Sequence, residues 1–451
     1  LLAYNRCECV ADEDSFLPFS NYLHPHVWAH NVGVAFLESQ PNPEETKRHR
    51  AEEYSKYQNR IYSPADELIL AEANSPLQYP TQGIEVQPLK TILIPGNAII
   101  PYVYLKATLG AFDVAATVDK VDVQGEGQSH MTLSSPLLPA LNRQLQFVTY
   151  TNTVFHPKTA DTVQFGTKAH KAAFTIKIRF GTIPKLYYSG PQKGEFDVVA
   201  LVTIATKTFL RYEKLNDLIN SIRKYYSTVT IVIADDNEHP KPVRGPHIEH
   251  YIMPFGKGWF AGRNLAVSQV TTKYILWVDD DFIFTENTKL EKMVDILEKT
   301  TLDLVGGAVR EATGYTATFR HTISVEEGGE EGDCLHIRNG YHHYIEGFPS
   351  CVVADAIINF FMGRTDRVRE VGFDPKLARQ GHLEFFVDAL GSLHIGSCSD
   401  IIVNHASKIK LPWTKTDSQK AYEKFRYTSS KSTSSLHNGI YYFKNRFKCM
   451  S

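Results

Sequence analysis

Three consecutive carboxylates, Asp279, Asp280 and Asp281, interrupt an otherwise apolar run from Tyr274 to Phe284. The residues before them, Tyr274-Ile275-Leu276-Trp277-Val278, read as a buried strand. Such a strand cannot bury three unpaired ionised aspartates, because an uncompensated buried carboxylate is very costly. The triplet is therefore expected at the strand's exposed end, facing a cation. Open α/β sheets bind ligands at the carboxyl ends of their strands. Two aspartates one residue apart in that place suit a divalent metal that holds a diphosphate. An acidic turn or a structural Ca²⁺ loop would carry the same triplet.

The 451 residues allow two or three domains, and 43% apolar residues with 12% aromatics can bury a large core. A net charge of −2 gives no global pull toward nucleic acid. No apolar run approaches the ~20 residues of a membrane span. The chain opens at Leu1 with neither a start Met nor a signal pattern. It is read as a processed or truncated chain whose anchor lies upstream. No N-glycosylation acceptor is present, since Asn74-Ser75-Pro76 and Asn152-Thr153-Val154 both fail at the third residue.

The six cysteines are Cys7, Cys9, Cys334, Cys351, Cys398 and Cys449. An even number permits full pairing in several ways. Cys7 and Cys9 lie too close for a comfortable mutual bridge, so each is expected to pair far away. No Cys-x-x-Cys pair exists, which argues against a zinc ribbon. Long-range pairing suits a secretory compartment. Six reduced thiols are the alternative.

The predicted organisation has three parts. Residues 1–83 read as a stem with a polar helical arm over Pro43–Tyr57. Residues 84–190 read as an all-β, sandwich-like domain with strands over 84–94, 103–109, 118–123, 144–150 and 172–180. From 195 to 451 strands and helices alternate, as in a Rossmann-like α/β sheet. Its strands are expected over Asp197–Ile204, Thr228–Ala234, His247–Met253, Tyr274–Val278 and Leu302–Val309, with a helix beginning at Gly262. No Gly-x-Gly-x-x-Gly follows the first strand, which argues against a dinucleotide. The second strand ends in Asp235-Asp236 and the fourth in the triplet. Two acidic strand ends on one sheet edge describe a nucleotide-and-metal site.

Several stretches then resemble the ganglioside β-1,4-N-acetylgalactosaminyltransferases of vertebrates. They are Leu201–Tyr212 (LVTIATKTFLRY), Met253–Asn264 (MPFGKGWFAGRN), Trp277–Phe282, His382–Phe386 and Asn404–Trp413 (NHASKIKLPW). The similarity extends to Asn74–Tyr79 and Leu141–Gln146 in the β-rich part. The resemblance implies a GT-A catalytic domain in a Golgi type II membrane enzyme, often a disulfide-linked homodimer. It implies transfer of N-acetylgalactosamine from UDP-N-acetylgalactosamine to the galactose of sialylated lactosylceramides at a membrane surface. A paralogous branch acts on sialylated N-acetyllactosamine of glycoproteins.

Under that resemblance the site residues take roles. Asp281 is the expected ligand of Mn²⁺ or another divalent cation, with Asp279 on the ribose or a metal-bound water and Asp280 available for either. His405, after the strand Ile401–Val403, is the expected second ligand. Asp235, Asp236, Thr206 and Arg211 suit uracil and ribose. Arg263, taken to lie at a helix start, suits phosphate. Lys408 and Lys410 suit the leaving diphosphate. Trp259, Trp413, His342 and His343 are acceptor candidates. The resemblance implies inversion, and Glu384 is the expected base, with Asp388 as its competitor on the same helix face. Cys351 is expected to pair with Cys398, and Cys7 and Cys9 with Cys334 and Cys449, within the chain or across a dimer. The acidic loop 326–333 reads as a lid, and the basic tail 408–448 as a face toward anionic lipid or sialic acid. A Ca²⁺-dependent lectin, or a glycosidase with two flanking carboxylates, would be the other function classes.

Overall fold

The computed structural model describes residues 75–181, 197–327, 333–375 and 383–406, the backbone of 447–450, and isolated helical positions within 44–55 and 416–422. Cys7, Cys9, His382, Lys408, Lys410, Trp413, the centre of the acidic loop and most of the basic tail lie outside the described residues.

The chain first builds β structure. Ile84–Val86, Lys171–Ile178, Thr159–Gly166, Tyr102–Lys106, His130–Ser134 and Asp122–Gln124 form a six-stranded sheet in that order. Thr91–Leu93, Val148–Asn152 and Gly110–Val114 form a second. Val103, Leu105, Val163, Phe174 and Ile176 from the first sheet share one core with Phe112 and Tyr150 from the second. This is the packed pair of sheets expected of a sandwich. Two local expectations differ. The strand predicted from Gln144 begins only at Val148, because Leu138–Leu145 is a helix with a proline in its first turn. The buried Gln144 belongs to that helix, and its amide bridges Val118 N and Ala116 O, both at 2.7 Å. The strand Thr159–Gly166 was not anticipated, because Asp161 breaks its apolar pattern. That carboxyl is buried, yet it accepts Leu109 N and the Tyr150 hydroxyl, both at 2.7 Å.

The second part is α/β. In chain order its elements are β1 (Val202–Thr208), α1 (Tyr212–Tyr225), β2 (Thr230–Asp235), β3 (Ile248–Ile252), α2 (Trp259–Gln269), β4 (Tyr274–Trp277), β5 (Phe282–Ile283), α3 (Leu290–Lys299), β6 (Leu304–Arg310), β7 (Phe348–Val353), β8 (Phe361–Arg364), α4 (Leu383–Ala389) and β9 (Ile395–His405). The sheet runs β3-β2-β1-β4-β8-β6-β9-β7. β1 is parallel to both β2 and β4, and β8 is antiparallel to β4. The first strand starts later than expected. Asp197 instead caps a single helical turn, Val198–Leu201, by accepting Val199 N.

The strands are apolar on both sides because both faces are covered. Ile204, Ile231, Ile233 and Leu276 face α1 and α3; Ala205, Val232, Ala234, Ile275 and Trp277 face α2 and α4. Helix α1 buries Leu215, Leu218, Ile219 and Ile222, an i, i+3, i+4, i+7 stripe. Each such side chain contributes roughly 1.5–3 kcal/mol on burial. The small Ala205 and Ala234 admit α2 closely. Gly262 completes the fit, since a Cβ there would sit 2.5 Å from Lys207 Cγ.

Register also sets the cross-link. β7 and β9 pair antiparallel with Cys351 opposite Cys398, and the two are joined by a disulfide. Cys334 is also disulfide-bonded, and Cys449 is its backbone neighbour across a parallel strand pair. The Cys351–Cys398 bridge closes a loop of sequence separation 47, which in the chain-entropy model stabilises by about 4 kcal/mol. Replacing both cysteines by alanine is expected to lower the melting temperature measurably in calorimetry. An unchanged melting temperature would refute that contribution.

Candidate active site

The carboxyl ends of β1, β2 and β4 converge, and each brings charge. β1 carries Lys207, flanked by Thr206 and Thr208, and all three are buried. β2 ends at Asp235, followed by Asp236. β4 leads into Asp279, Asp280 and Asp281. Sequence reasoning missed Lys207, although a lysine inside a fully buried strand was a usable signal.

The charges pair across the strand ends. Lys207 Nζ lies 2.6 Å from Asp236, whose other oxygen accepts Gly258 N at 2.8 Å. Burial pushes the Lys207 ammonium down and Asp236 pulls it back up. Arg211 straddles the triplet: one arm reaches Asp280, and Nη1 reaches Asp281 Oδ2 at 2.8 Å. Burial opposes its charge, but Asp280 and Asp281 outweigh that and hold the guanidinium well above its ordinary range. The ring of Tyr422 lies 4.4 Å from the guanidinium centre. Leu210, just before it, has φ of 58° and donates its N–H to Asn237 Oδ1 at 2.7 Å. A branched residue in the left-handed region costs on the order of 1–3 kcal/mol and marks a position fixed by its surroundings.

The three aspartates face different neighbours. Asp279 meets Trp277 Nε1 and Asn359 Nδ2, both at 3.3 Å, and Arg263 at 3.9 Å. Asp280 is the most enclosed, and burial pushes it up to about 7, with Arg211 pulling it down. Asp281 lies beside His405, because β5 pairs antiparallel with β9 and sets Phe282 opposite His405. His405 Nε2 is 3.3 Å from Asp281 Oδ2, and its Nδ1 is 2.9 Å from Glu311. Glu311 was invisible in the sequence. It reaches His405 only through the parallel pairing of β6 with β9.

Among the described residues no group of three or more His, Cys, Asp or Glu is arranged to hold a metal. The pair Asp281–His405 still fits a divalent ion whose remaining ligands are water and substrate oxygens. Their donor atoms are separated by about the edge of an octahedron with ~2.1 Å bonds. A carboxylate behind the second ring nitrogen is also the usual support for a metal-binding histidine.

Asp235 is placed otherwise than its expected nucleotide role suggests. It is fully enclosed and bonded to the Tyr212 hydroxyl at 2.6 Å, His250 Nε2 at 2.9 Å and Asn237 N at 2.9 Å. Burial works against its charge, yet these donors hold the carboxyl below its ordinary range. Arg263 also differs from expectation. α2 begins at Trp259, three residues earlier than predicted, so Arg263 lies in the second turn and not at the helix start. Its guanidinium is buried among Trp277 (4.6 Å), Phe373 (5.4 Å), Trp259 and Phe260 (both 5.5 Å). Burial pushes it down to about 10, against the pull of Asp279 and Glu384.

Glu384 sits in the first turn of α4, which is locked by aromatic stacking. Phe385 stacks on Phe373 at 4.6 Å and on Phe361 at 6.1 Å. Burial above all, with Asp388 and Asp374 adding to it and Arg263 opposing, leaves the Glu384 carboxyl pushed up to about 8. Several buried polar atoms around these strand ends find no hydrogen-bond partner among the described residues, among them Thr206 Oγ1, Thr208 Oγ1, Arg211 Nε, Arg263 Nε and Nη2, Asp280 Oδ2 and Glu384 Oε2. Native proteins rarely leave such atoms unpaired without a functional reason. Of the acceptor candidates, Trp259 packs beside Arg263, while His343 is exposed on the short strand His343–Ile345.

Residues 203–372 match the family described as glycosyl transferase family 2. The chain is 53% identical to human beta-1,4 N-acetylgalactosaminyltransferase 1, an alignment that covers 100% of this chain and 86% of that protein. It is 45% identical to mouse beta-1,4 N-acetylgalactosaminyltransferase 2, over 89% of this chain and 78% of that protein. Among solved structures it is similar to S. aureus TarS 1–349, with a TM-score of 0.36, 12% identity, and coverage of 54% of this chain and 80% of that one.

The Glu384 shift has a stability consequence. Between pH 4.5 and about 8 the folded state keeps a proton that the unfolded state releases. Stability contributed at this position therefore falls as pH rises through that window. Glu384→Gln is expected to melt higher than the parent at pH 8, with the gap closing toward pH 5. A gap independent of pH in differential scanning fluorimetry would refute the buried, protonated Glu384.

Proposed function

The chain belongs to the β-1,4 N-acetylgalactosaminyltransferase family, and on that premise we propose what it transfers and how. It moves N-acetylgalactosamine from UDP-N-acetylgalactosamine, with inversion, to the galactose of sialylated lactosylceramide. The observation that carries this reading is the meeting of Asp281, His405 and Arg211 at the carboxyl ends of one sheet, with Glu384 linked to the same triplet through Arg263 and Asp279.

A divalent cation, Mn²⁺ by preference, would supply electrostatic stabilisation of the leaving diphosphate. Asp281 and His405 would hold it, with Glu311 fixing the imidazole. Asp279 and Asp280 complete the acidic floor. Thr206 and Asp236 would serve the nucleotide's side, with Asp235 behind them, and Arg263 would act on the phosphates through Asp279. Lys408 is proposed for the phosphates, and Trp259, His343 and Trp413 for the acceptor. Glu384 takes the proton of the attacking galactose hydroxyl as the oxygen bonds to the anomeric carbon. The bond to UDP breaks in the same displacement, so an α-linked donor gives a β-linked product. A carboxyl raised to about 8 is a strong base once ionised, which suits this proton transfer.

We infer three parts: a stem and arm over 1–83, a β-sandwich-like domain over 84–190 and the GT-A domain over 195–451. We infer a membrane-anchored enzyme of the Golgi lumen that forms a disulfide-linked homodimer. The buried Cys351–Cys398 bridge supports an oxidising compartment. Among the described residues no helix is long and apolar enough to cross a membrane.

Glu384→Gln is expected to keep UDP and Mn²⁺ binding while losing roughly 10²–10⁴ in turnover. Normal turnover in that variant, with loss in Asp388→Asn, would move the base to Asp388. Glu311→Ala is expected to weaken Mn²⁺ binding about 10–100-fold, read by titration calorimetry with UDP present. Unchanged Mn²⁺ affinity would remove His405 from the metal site. A screen of sialylated glycolipid and glycoprotein acceptors, with the product linkage read by NMR, tests the acceptor class. An α-linked product would overturn the displacement.

A further inference from the structure

Arg320 is a half-buried guanidinium without a counter-charge. Its Nε donates to Ser397 Oγ at 3.2 Å and its Nη2 to Ser397 O at 3.4 Å. No carboxylate among the described residues pairs with it. Asp355, whose N–H bonds the carbonyl of His321, the residue after Arg320, is taken by His342 Nε2 and Ile323 N, both at 2.8 Å. Burial pushes Arg320 below its ordinary range, and only the Tyr341 and Tyr344 hydroxyls pull it back. Arg320 is thus held by neutral groups alone, which leaves its charge open to an anion from outside.

Its surroundings suit a sugar. Tyr341 is 42% and Tyr344 61% exposed, though both are large aromatics. Their rings pack edge to face at 5.3 Å, and their hydroxyls are 3.1 Å apart. Exposed tyrosines offer both an apolar face and a hydroxyl to a pyranose. Phe319, immediately before Arg320, has φ of 47°, so the backbone is held in an unfavourable conformation where it presents the guanidinium.

The patch is level with the reacting centre. Ser397 pairs with Gly306, Gly306 with Phe361, and Phe361 with Trp277, which precedes the aspartate triplet. Three strand spacings of ~4.8 Å separate the Ser397 backbone, which holds Arg320, from the Trp277 backbone by about 14 Å.

We propose that Arg320, Tyr341 and Tyr344 form a subsite for a carboxylate-bearing sugar of the acceptor. Arg320 pairs with the carboxylate and the tyrosines pack on the ring. This deepens the reading above, since it names how the site recognises a sialylated acceptor, and it rests on that reading for its role in transfer.

Two measurements test it. Saturation-transfer NMR without donor should show 3′-sialyllactose bound by the parent protein, with strong signals from its acidic ring. Arg320→Ala should lose those signals. In the transfer assay Arg320→Ala should lower the preference for sialyllactose over lactose, as a ratio of kcat/KM, roughly 10–100-fold. The KM for UDP-N-acetylgalactosamine should stay within about twofold. Arg320→Lys should recover part of the preference. If Arg320→Ala does not fold, Tyr344→Ala carries the test, with a several-fold loss of the same ratio expected. Equal binding of sialyllactose by parent and variants, or an unchanged ratio, would overturn the subsite. Competition by inorganic sulfate as strong as by sialyllactose would overturn its specificity for a sugar. Arg320-dependent binding without any transfer of N-acetylgalactosamine would keep the subsite and sink the proposed function instead.

Discussion

The balance of buried charge at the ends of β1, β2 and β4 is the constraint that the rest of the catalytic part satisfies. Asp236, Asp279, Asp280 and Asp281 are set against Lys207, Arg211 and Arg263 where little water reaches. Losing one member of a buried pair strands the other, at a cost of several kcal/mol. The strand order therefore has consequences beyond packing: β1 must lie between β2 and β4 so that its lysine reaches one acid and the following arginine reaches the others. Gly262 and the alanines of β1 and β2 serve the same end. They let α2 lie against Lys207 and bring Arg263 to Asp279.

A second constraint is aromatic. Phe361, Phe373, Phe385, Phe260 and Trp277 wall off one side of the site. Their low polarity lets one environment have two effects. It lowers the proton affinity of Arg263 and raises that of Glu384, because each is denied solvation of its charged form. A carboxyl and a guanidinium are thereby tuned in opposite directions by one environment. The polar atoms nearby without a hydrogen-bond partner are a further cost, of the kind that folded chains retain for a functional reason.

How much was legible in the sequence follows from this physics. The triplet, the apolar strand before it and the alternation of strands and helices were readable, because they are local patterns. Burial on both faces showed as unbroken apolar runs. Glu311 and Asn359 were not readable, because each acquires its neighbour through a register set far away in the chain. The enclosure of Asp235 by Tyr212 and His250 was not readable either, since nothing local shows it. Arg263 was placed a turn too near a helix start, because glycines at 256 and 258 masked where α2 begins. In the β part, Asp161 hid a strand for the same reason that buried polar groups mislead any apolar count: its partners, Leu109 and Tyr150, are remote.

The ligand set also separates the two readings of an acidic triplet. Calcium takes six to eight oxygen ligands, and a loop built for it would gather the triplet's carboxylates around one point. Here they diverge: Asp279 turns to Asn359 and Arg263, Asp280 is enclosed against Arg211, and only Asp281 meets another candidate ligand. That ligand is an imidazole, which suits manganese or another transition ion better than calcium. Its far nitrogen is held by Glu311, so the ring is fixed before any ion arrives. With two protein donors, a centre proposed on Asp281 and His405 would leave most coordination positions for oxygens of a substrate. Such a centre would bind weakly by itself and gain its hold when a diphosphate is present. A permanent structural calcium loop has the opposite requirement, and the divergence of Asp279 from Asp281 weighs against it.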